Sequence, residues 1–322
     1  HHFYTMGQGA MANSFFSITT MLIAVPTGVK IFNWLLTMYK GKIEFTTPML
    51  YALAFIPIFT FGGVTGVMLA MASADYQYHN TMFLVAHFHY VLIPGTVFGV
   101  LAGMYFWFPK VFGFKLDEKL GKIAFWIIAV SFNVTFLPLF ALGLKGMNRR
   151  MYTYSEETGF GPLNLIASLG AVGLAIGFIV LVYGFYWSFR YAPRLKGDVD
   201  PWGGRTLEWA TKTPVPAYNF AITPEVNSVD SWWDHKKGTH NLFTRKVEEI
   251  HMPSSDFKPF LMAIAFFFWG FFMVFSMWIP AIISAIPIIY LMFARSFNDD
   301  PGFHISVKEI EEEERKLRGD KK

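Results

Sequence analysis

Apolar residues run through this chain in long, nearly unbroken stretches, not in the short periods of water-facing strands and helices. Six stretches stand out, at 12–38, 48–71, 81–107, 123–144, 163–189 and 260–293. A helix crossing ~30 Å of hydrocarbon needs about 20 apolar residues, so each of the first five predicts one span. The last is too long for one upright span, and Pro280 lies near its middle. It therefore predicts a tight hairpin of two short helices. The pattern predicts an all-α integral membrane protein, a polytopic transmembrane helix bundle of seven spans. Five spans fall in 1–192, followed by a polar loop over 193–257, the hairpin at 258–296 and a tail at 297–322.

Lys and Arg set the expected orientation, because they collect in cytoplasmic loops. Lys40 and Lys42 follow the first span, Lys110, Lys115, Lys119 and Lys122 the third, and Arg190, Arg194 and Lys196 the fifth. Those ends, the polar loop and the tail are assigned to the cytoplasm. On the opposite side, Lys145, Arg149 and Arg150 break the rule and ask for a functional explanation. The stretch 191–257, rich in Pro, Trp, Asp and Lys, is expected to pack on the bundle with little regular structure. The charge run 309–318 reads as a solvated terminal helix, and His235, His240, His251 and His304 as surface residues.

Composition agrees with lipid as the solvent. Of 322 residues, 53% are hydrophobic, 19% aromatic and only 16% charged, with mean hydropathy +0.37. Average globular usage is about 25% charged, so an ordinary soluble domain is excluded, as is intrinsic disorder. The complete absence of Cys removes disulfides, thiolate metal sites and iron–sulfur clusters. A net charge of +4 is too small to suggest nucleic acid. The chain opens on His1-His2-Phe3-Tyr4, with no initiator Met or signal peptide, and so reads as the back part of a longer protein.

The chemistry lies in a few polar residues. The third span carries Ala86-His87-Phe88-His89-Tyr90. Ionisable residues inside a span are costly and point to function. Two residues apart on a helix are about 200° apart around its axis. His87 and His89 therefore face opposite sides, where they serve two flanking cofactors or are buried histidines bonded to neighbouring helices. Adjacent His1 and His2 could meet on copper, zinc or iron, or equally be loop residues or a tag remnant. Lys30, inside the first span with Thr27 on the same face, is about 15 Å from the boundary at Lys40, deep for snorkelling. It fits a buried proton path. Asp75, His79, Asn80, Arg149 and Arg150 gather on the outer side. Paired Arg there bind lipid phosphates or a cofactor carboxylate.

The stretches HHFYTMG, IAVPTGVKIFNWL, HNTMFLVAHFHYVL and GMNRRMYTY, in this order, resemble subunit I of the haem–copper terminal oxidases along the whole chain. The resemblance implies that His1 and His2 are two of the three CuB histidines. It implies that His87 is the axial ligand of a high-spin haem and His89 an axial ligand of a low-spin haem. Arg149 and Arg150 match the pair that holds haem propionates, Asp75 and His79 outer residues near those propionates and the proton exit, and Thr27 and Lys30 the lysine-named proton path. The third CuB histidine, its cross-linked Tyr, the second low-spin haem ligand and the other path's Glu are expected upstream. Asn80 stands where cytochrome c oxidases usually have an Asp that helps bind magnesium, which speaks against a magnesium site.

The hairpin and the tail SFNDDPGFHISVKEIEEEERK resemble quinol oxidases of Gram-positive bacteria. The expected function is that of a proton-pumping respiratory oxidase reducing O2 to water with quinol, as menaquinol, in a bacterial plasma membrane beside subunits II, III and IV. Cytochrome c oxidation is the alternative donor reading. A nitric oxide reductase with non-haem iron and a cofactor-free proton transporter are the rivals.

Overall fold

The computed structural model describes residues 1–297 and 302–318. Positions 298–301 and 319–322 of the expected tail lie outside the described residues. The chain forms two compact units, His1–Leu195 and Lys196–Lys322.

The first unit is helical. A turn over residues 2–7 leads into α1 (Ala10–Leu22) and α2 (Ala24–Met38), then α3 (Thr47–Ala70), the short α4 (Ala72–Tyr78) and α5 (Met82–Leu92). A π-helical segment, Ile93–Phe98, joins α5 to α6 (Gly99–Phe112), followed by α7 (Glu118–Leu144) and α8 (Gly161–Tyr191). The predicted first span is thus two helices meeting at Ile23. Pro26, in the first turn of α2, has no N–H to give to the Leu22 carbonyl. The π segment has a similar cause, because Pro94 cannot donate to the Tyr90 carbonyl; the Gly99 N–H reaches back five residues to Pro94 O.

Two connected cores hold this unit together. One packs Leu69 of α3 against Phe83, Leu84 and Tyr90 of α5 and Phe132 and Leu139 of α7. The other joins Tyr51, Phe98, Tyr105, Phe125 and Ile128. Small residues set the helix separations, as expected where lipid offers no hydrophobic drive between helices. A Cβ on Gly143 of α7 would lie 2.1 Å from the Phe83 N of α5, and one on Gly170 of α8 2.5 Å from the Thr135 N of α7. Phe15, Val29, Leu35, Val130, Ile179 and Val182 are exposed, as lipid-facing side chains are. Lys110, expected in a loop, lies in the last turn of α6 and is buried.

The second unit is mostly irregular over 196–257, with the short helix α9 (Ser231–Lys236) and the strand β1 (Ile250–Met252). The apolar hairpin follows as α10 (Lys258–Val274) and α11 (Trp278–Ser296). The two helices are joined at residues 275–277, where Ser276 takes φ 56°, and not at Pro280. Pro280 sits in the first turn of α11, where its missing N–H costs nothing. β2 (Phe303–Ile305) pairs antiparallel with β1 and ties the feet of the hairpin together.

The tail helix α12 (Val307–Arg318) differs from the solvated helix expected. Ile310 is fully buried, and Glu314, 8% exposed, accepts from the Tyr218 hydroxyl at 3.2 Å and pairs with Lys212 at 3.4 Å. The charge run hides one inward face. His235 and His240 are half-buried, not surface residues: Trp232 stacks on His235, and Asn227 and the Glu225 carbonyl contact His240. His251 and His304 are exposed and face each other across β1 and β2.

Six helical stretches among the described residues are long and apolar enough to cross a membrane: Ala10–Met38, Thr47–Ala70, Met82–Phe112, Glu118–Leu144, Gly161–Tyr191 and Trp278–Ser296. α10 is apolar but has only 17 residues, about 26 Å at 1.5 Å per residue. The chain is a polytopic helical membrane protein.

Candidate functional site

α5 carries His87 and His89, and the helix turns them to different neighbours. His87 points at α3, where its Nδ1 lies 2.9 Å from the Gly62 carbonyl and 3.2 Å from the Thr65 hydroxyl. Gly66 makes the seat possible, since a Cβ there would stand 2.8 Å from the His87 Cε1. His89 points toward α7. Its Nδ1 lies 2.8 Å from the Val85 carbonyl, and the Phe136 ring stacks on it at 4.1 Å and 17°.

In both residues a carbonyl can only accept, so Nδ1 carries the proton and Nε2 keeps its lone pair. A metal-bound imidazole needs this arrangement, with its other nitrogen anchored to a backbone carbonyl. The donor set thus fits two haem irons on opposite sides of α5.

A second group of polar residues collects at one end of the bundle. Asp75 of α4 is 2% exposed, and the His79 Nδ1 is 3.2 Å from its Oδ2. Burial pushes the Asp75 carboxyl above the usual carboxylate range, and the His79 imidazole opposes that shift. The following loop is zipped to the loop after α7. Thr81 pairs with Asn148, the Met82 N–H donates to Met147 O at 2.9 Å, and the Arg149 N–H donates to Asn80 O at 2.9 Å.

Asn80 and Arg150 both take left-handed backbone, φ 54° and 66°, which is uncommon outside glycine and tends to cluster at functional sites. The zipper brings Arg149 beside Asn80, the residue that follows His79. Arg149 is half-buried, and its Nε is buried without a partner among the described residues. Arg150 is exposed. A buried guanidinium nitrogen with nothing to bond suits an incoming carboxylate such as a haem propionate.

His1 and His2 have ring centroids 4.1 Å apart, tilted by 38°. His2 lies within electrostatic reach of Asp75, His79, Arg149 and His87. Among the described residues, no three His, Asp or Glu side chains converge as a complete metal-ligand set. Two adjacent imidazoles suit copper but leave its coordination short.

Thr27 and Lys30 do share a face of α2, the Thr27 hydroxyl donating to Ile23 O at 3.0 Å. Lys30 is exposed, however, and no residue of α2 is buried. The burial expected for Lys30 is not met within this unit: α2 leans on α3 through contacts such as Trp34 on Phe55, and no other helix covers the lysine.

Residues without a chemical signature in the sequence support these groups. Gly62 and Gly66 seat His87, Phe136 stacks on His89, Tyr4 and Asn13 hold the turn that bears His1 and His2, and Ser17 ties α1 to the same Ala70 carbonyl as Tyr4. The four-residue spacing of Gly62 and Gly66, a small-residue stripe on a membrane helix, and Pro94-Gly95 inside a predicted span were the available signals.

Residues 1–173 match the family of cytochrome c and quinol oxidase polypeptide I. Quinol oxidase subunit 1 of Bacillus subtilis is 56% identical over 98% of this chain and 49% of its own length. A probable quinol oxidase subunit 1 of Staphylococcus epidermidis is 55% identical over 99% of this chain and 48% of its own. The chain therefore spans about half the length of the curated relatives it matches. A solved haem–copper terminal oxidase dimer is more distant, 20% identical over 61% of this chain and 40% of that one at a TM-score of 0.48. The family rests on the sequence matches.

Proposed function

The chain belongs to the family of cytochrome c and quinol oxidase polypeptide I, and on that premise we propose that it is part of the catalytic subunit of a proton-pumping quinol oxidase, reducing O2 to water in a bacterial plasma membrane. The relatives that resemble it over nearly its full extent are quinol oxidase subunits, which favours quinol over cytochrome c as the donor. Menaquinol is the proposed quinol, and subunits II, III and IV are the proposed partners. One observation carries the reading: two imidazoles on one helix face different neighbours, each with Nδ1 bound to a backbone carbonyl and Nε2 left to bind iron.

His87 would hold a high-spin haem, His89 a low-spin haem, and His1 and His2 two positions on CuB. Bound there, these groups would supply electron transfer and oxygen reduction. The protein's own part is to orient and to move charge. The Gly62 and Val85 carbonyls fix the protonated nitrogen of each imidazole and so aim its lone pair. Arg149, with Arg150 beside it, would clasp propionates, with Asp75 and His79 bordering that clasp. Thr27 and Lys30 would pass protons inward along α2. Asn80 brings no carboxylate to a magnesium ion, so no magnesium is proposed.

The test is an absorption spectrum of the purified full-length complex, with oxygen-uptake assays on quinol and on reduced cytochrome c. Bands of one low-spin and one high-spin haem, with oxygen uptake on quinol alone, are expected. Absence of haem bands would leave a cofactor-free proton transporter. Iron without copper would indicate a nitric oxide reductase, and uptake on cytochrome c alone would replace quinol as donor.

A further inference from the structure

The helix that seats His87 also grips the turn that bears His1 and His2. We infer that Tyr4, Asn13 and Ser17 are positioning residues that fix this imidazole pair relative to His87. The inference rests on the proposed reading of His1 and His2 as copper ligands.

Each member is buried and fully engaged. Tyr4 is 2% exposed, and its hydroxyl donates to the Ala70 carbonyl at 2.7 Å. The Ser17 hydroxyl of α1, 8% exposed, donates to the same oxygen at 2.7 Å. Ala70 ends α3, so its carbonyl is among the last four that lack a helical donor. The two hydroxyls satisfy it. Asn13 is 6% exposed and gives both amide hydrogens away, to Tyr4 O at 3.0 Å and to the Tyr76 hydroxyl at 2.9 Å. Its Oδ1 accepts from Gln8 Nε2 at 2.8 Å.

The turn is therefore anchored on its own following helix through Asn13 and on α3 through Tyr4. Ala70 lies one helical turn beyond Gly66, about 6 Å along the axis. α3 thus holds His87 with one turn and the His1-His2 segment with the next, and it acts as a ruler between the two. Two ligands on a free surface turn would have to be ordered by the metal as it binds. Here that ordering is completed during folding, which favours the metal-binding arrangement in advance.

The experiment uses the full-length enzyme complex carrying Tyr4→Phe, Ser17→Ala or Asn13→Ala. Three measurements are made. One is copper per haem after dialysis against graded chelator. Another is the infrared C–O stretch of carbon monoxide added to the reduced enzyme, a probe sensitive to nearby copper. The last is the low-spin haem absorption together with the melting temperature.

Partners that orient metal ligands typically alter metal affinity 10–100-fold when removed. Copper affinity is expected to fall about that much in Asn13→Ala and less in Tyr4→Phe and Ser17→Ala, with a broadened C–O band and an unchanged low-spin spectrum. Wild-type copper retention with a wild-type C–O band in all three variants would overturn the inference. So would an equal loss of copper, both haems and melting temperature, which marks an ordinary tertiary stitch. If Asn13→Ala does not assemble, the two single-hydroxyl variants decide. Copper that persists in His1→Ala and His2→Ala would overturn the ligand reading itself, whatever the latch variants show.

Discussion

His87 is seated on α3 by the Gly62 carbonyl and the Thr65 hydroxyl, with Gly66 directly against the ring. Gly66→Ala would place a methyl 2.8 Å from the imidazole Cε1, so the ring must tilt or α3 must move. Overpacking of this kind costs about 1–3 kcal/mol. The expected outcome in the full-length enzyme is a perturbed or lost high-spin haem signal with the low-spin signal of His89 retained; an unaltered high-spin spectrum would refute this seating. Lys30→Met should leave both haems bound but slow reduction of the high-spin haem in stopped-flow traces. Wild-type turnover would remove Lys30 from the proton path. The opposed facing of His87 and His89 was legible from their spacing alone, because two residues turn a helix by about 200°. The setting of Lys30 was not. Distance along a span measures depth in the membrane and says nothing about which helix lies alongside.

Close helix approach decides the strength of α5 against α7 and of α7 against α8. Gly143→Ala would drive a Cβ into the Phe83 backbone nitrogen at 2.1 Å, a contact that no rotamer change relieves. A loss of at least about 1–3 kcal/mol is expected, read as a lower melting temperature or failed assembly of the complex in detergent. α12 offers a milder, titratable case. Ser306 N and Oγ both donate to Glu309 Oε2 at 2.8 Å, a capping box that holds the Glu309 carboxyl below its ordinary value of 4.5. Because the folded form is the stronger acid, this support is present above the ordinary value and is lost as pH falls through the depressed one. Amide-exchange protection of α12 should drop on acidification through that window, and Glu309→Ala should remove the drop. Helix existence was readable from the apolar runs, whereas the breaks were not. Pro280 looked like a hinge, yet a proline in a first turn is at home, and the chain bends at Ser276 through a left-handed φ of 56°. The run 309–318 showed only its charges, because one buried Ile310 among acidic and basic neighbours leaves almost no periodic trace.

Across the whole molecule, the apolar helices were legible because lipid demands long apolar runs, and the polar part of the second unit was not, because its order depends on side-chain pairings such as Tyr218 with Glu314. The full-length complex should consume oxygen with menaquinol and not with reduced cytochrome c, and the reverse preference would reassign the donor. The π segment Ile93–Phe98 has a consequence for how the chain tolerates change of length. A π turn holds one residue more than the α turn it replaces. Deleting one residue there would let the helix relax to α geometry and leave α6 facing α5 as before, whereas a deletion in the regular turns on either side would rotate everything beyond it by about 100°. The Leu101 and Tyr105 side would keep its place in the core after the first deletion and swing out of it after the second. The π turn is therefore the one place in this helix that can give up a codon, while Phe98 within it stays fixed by the core.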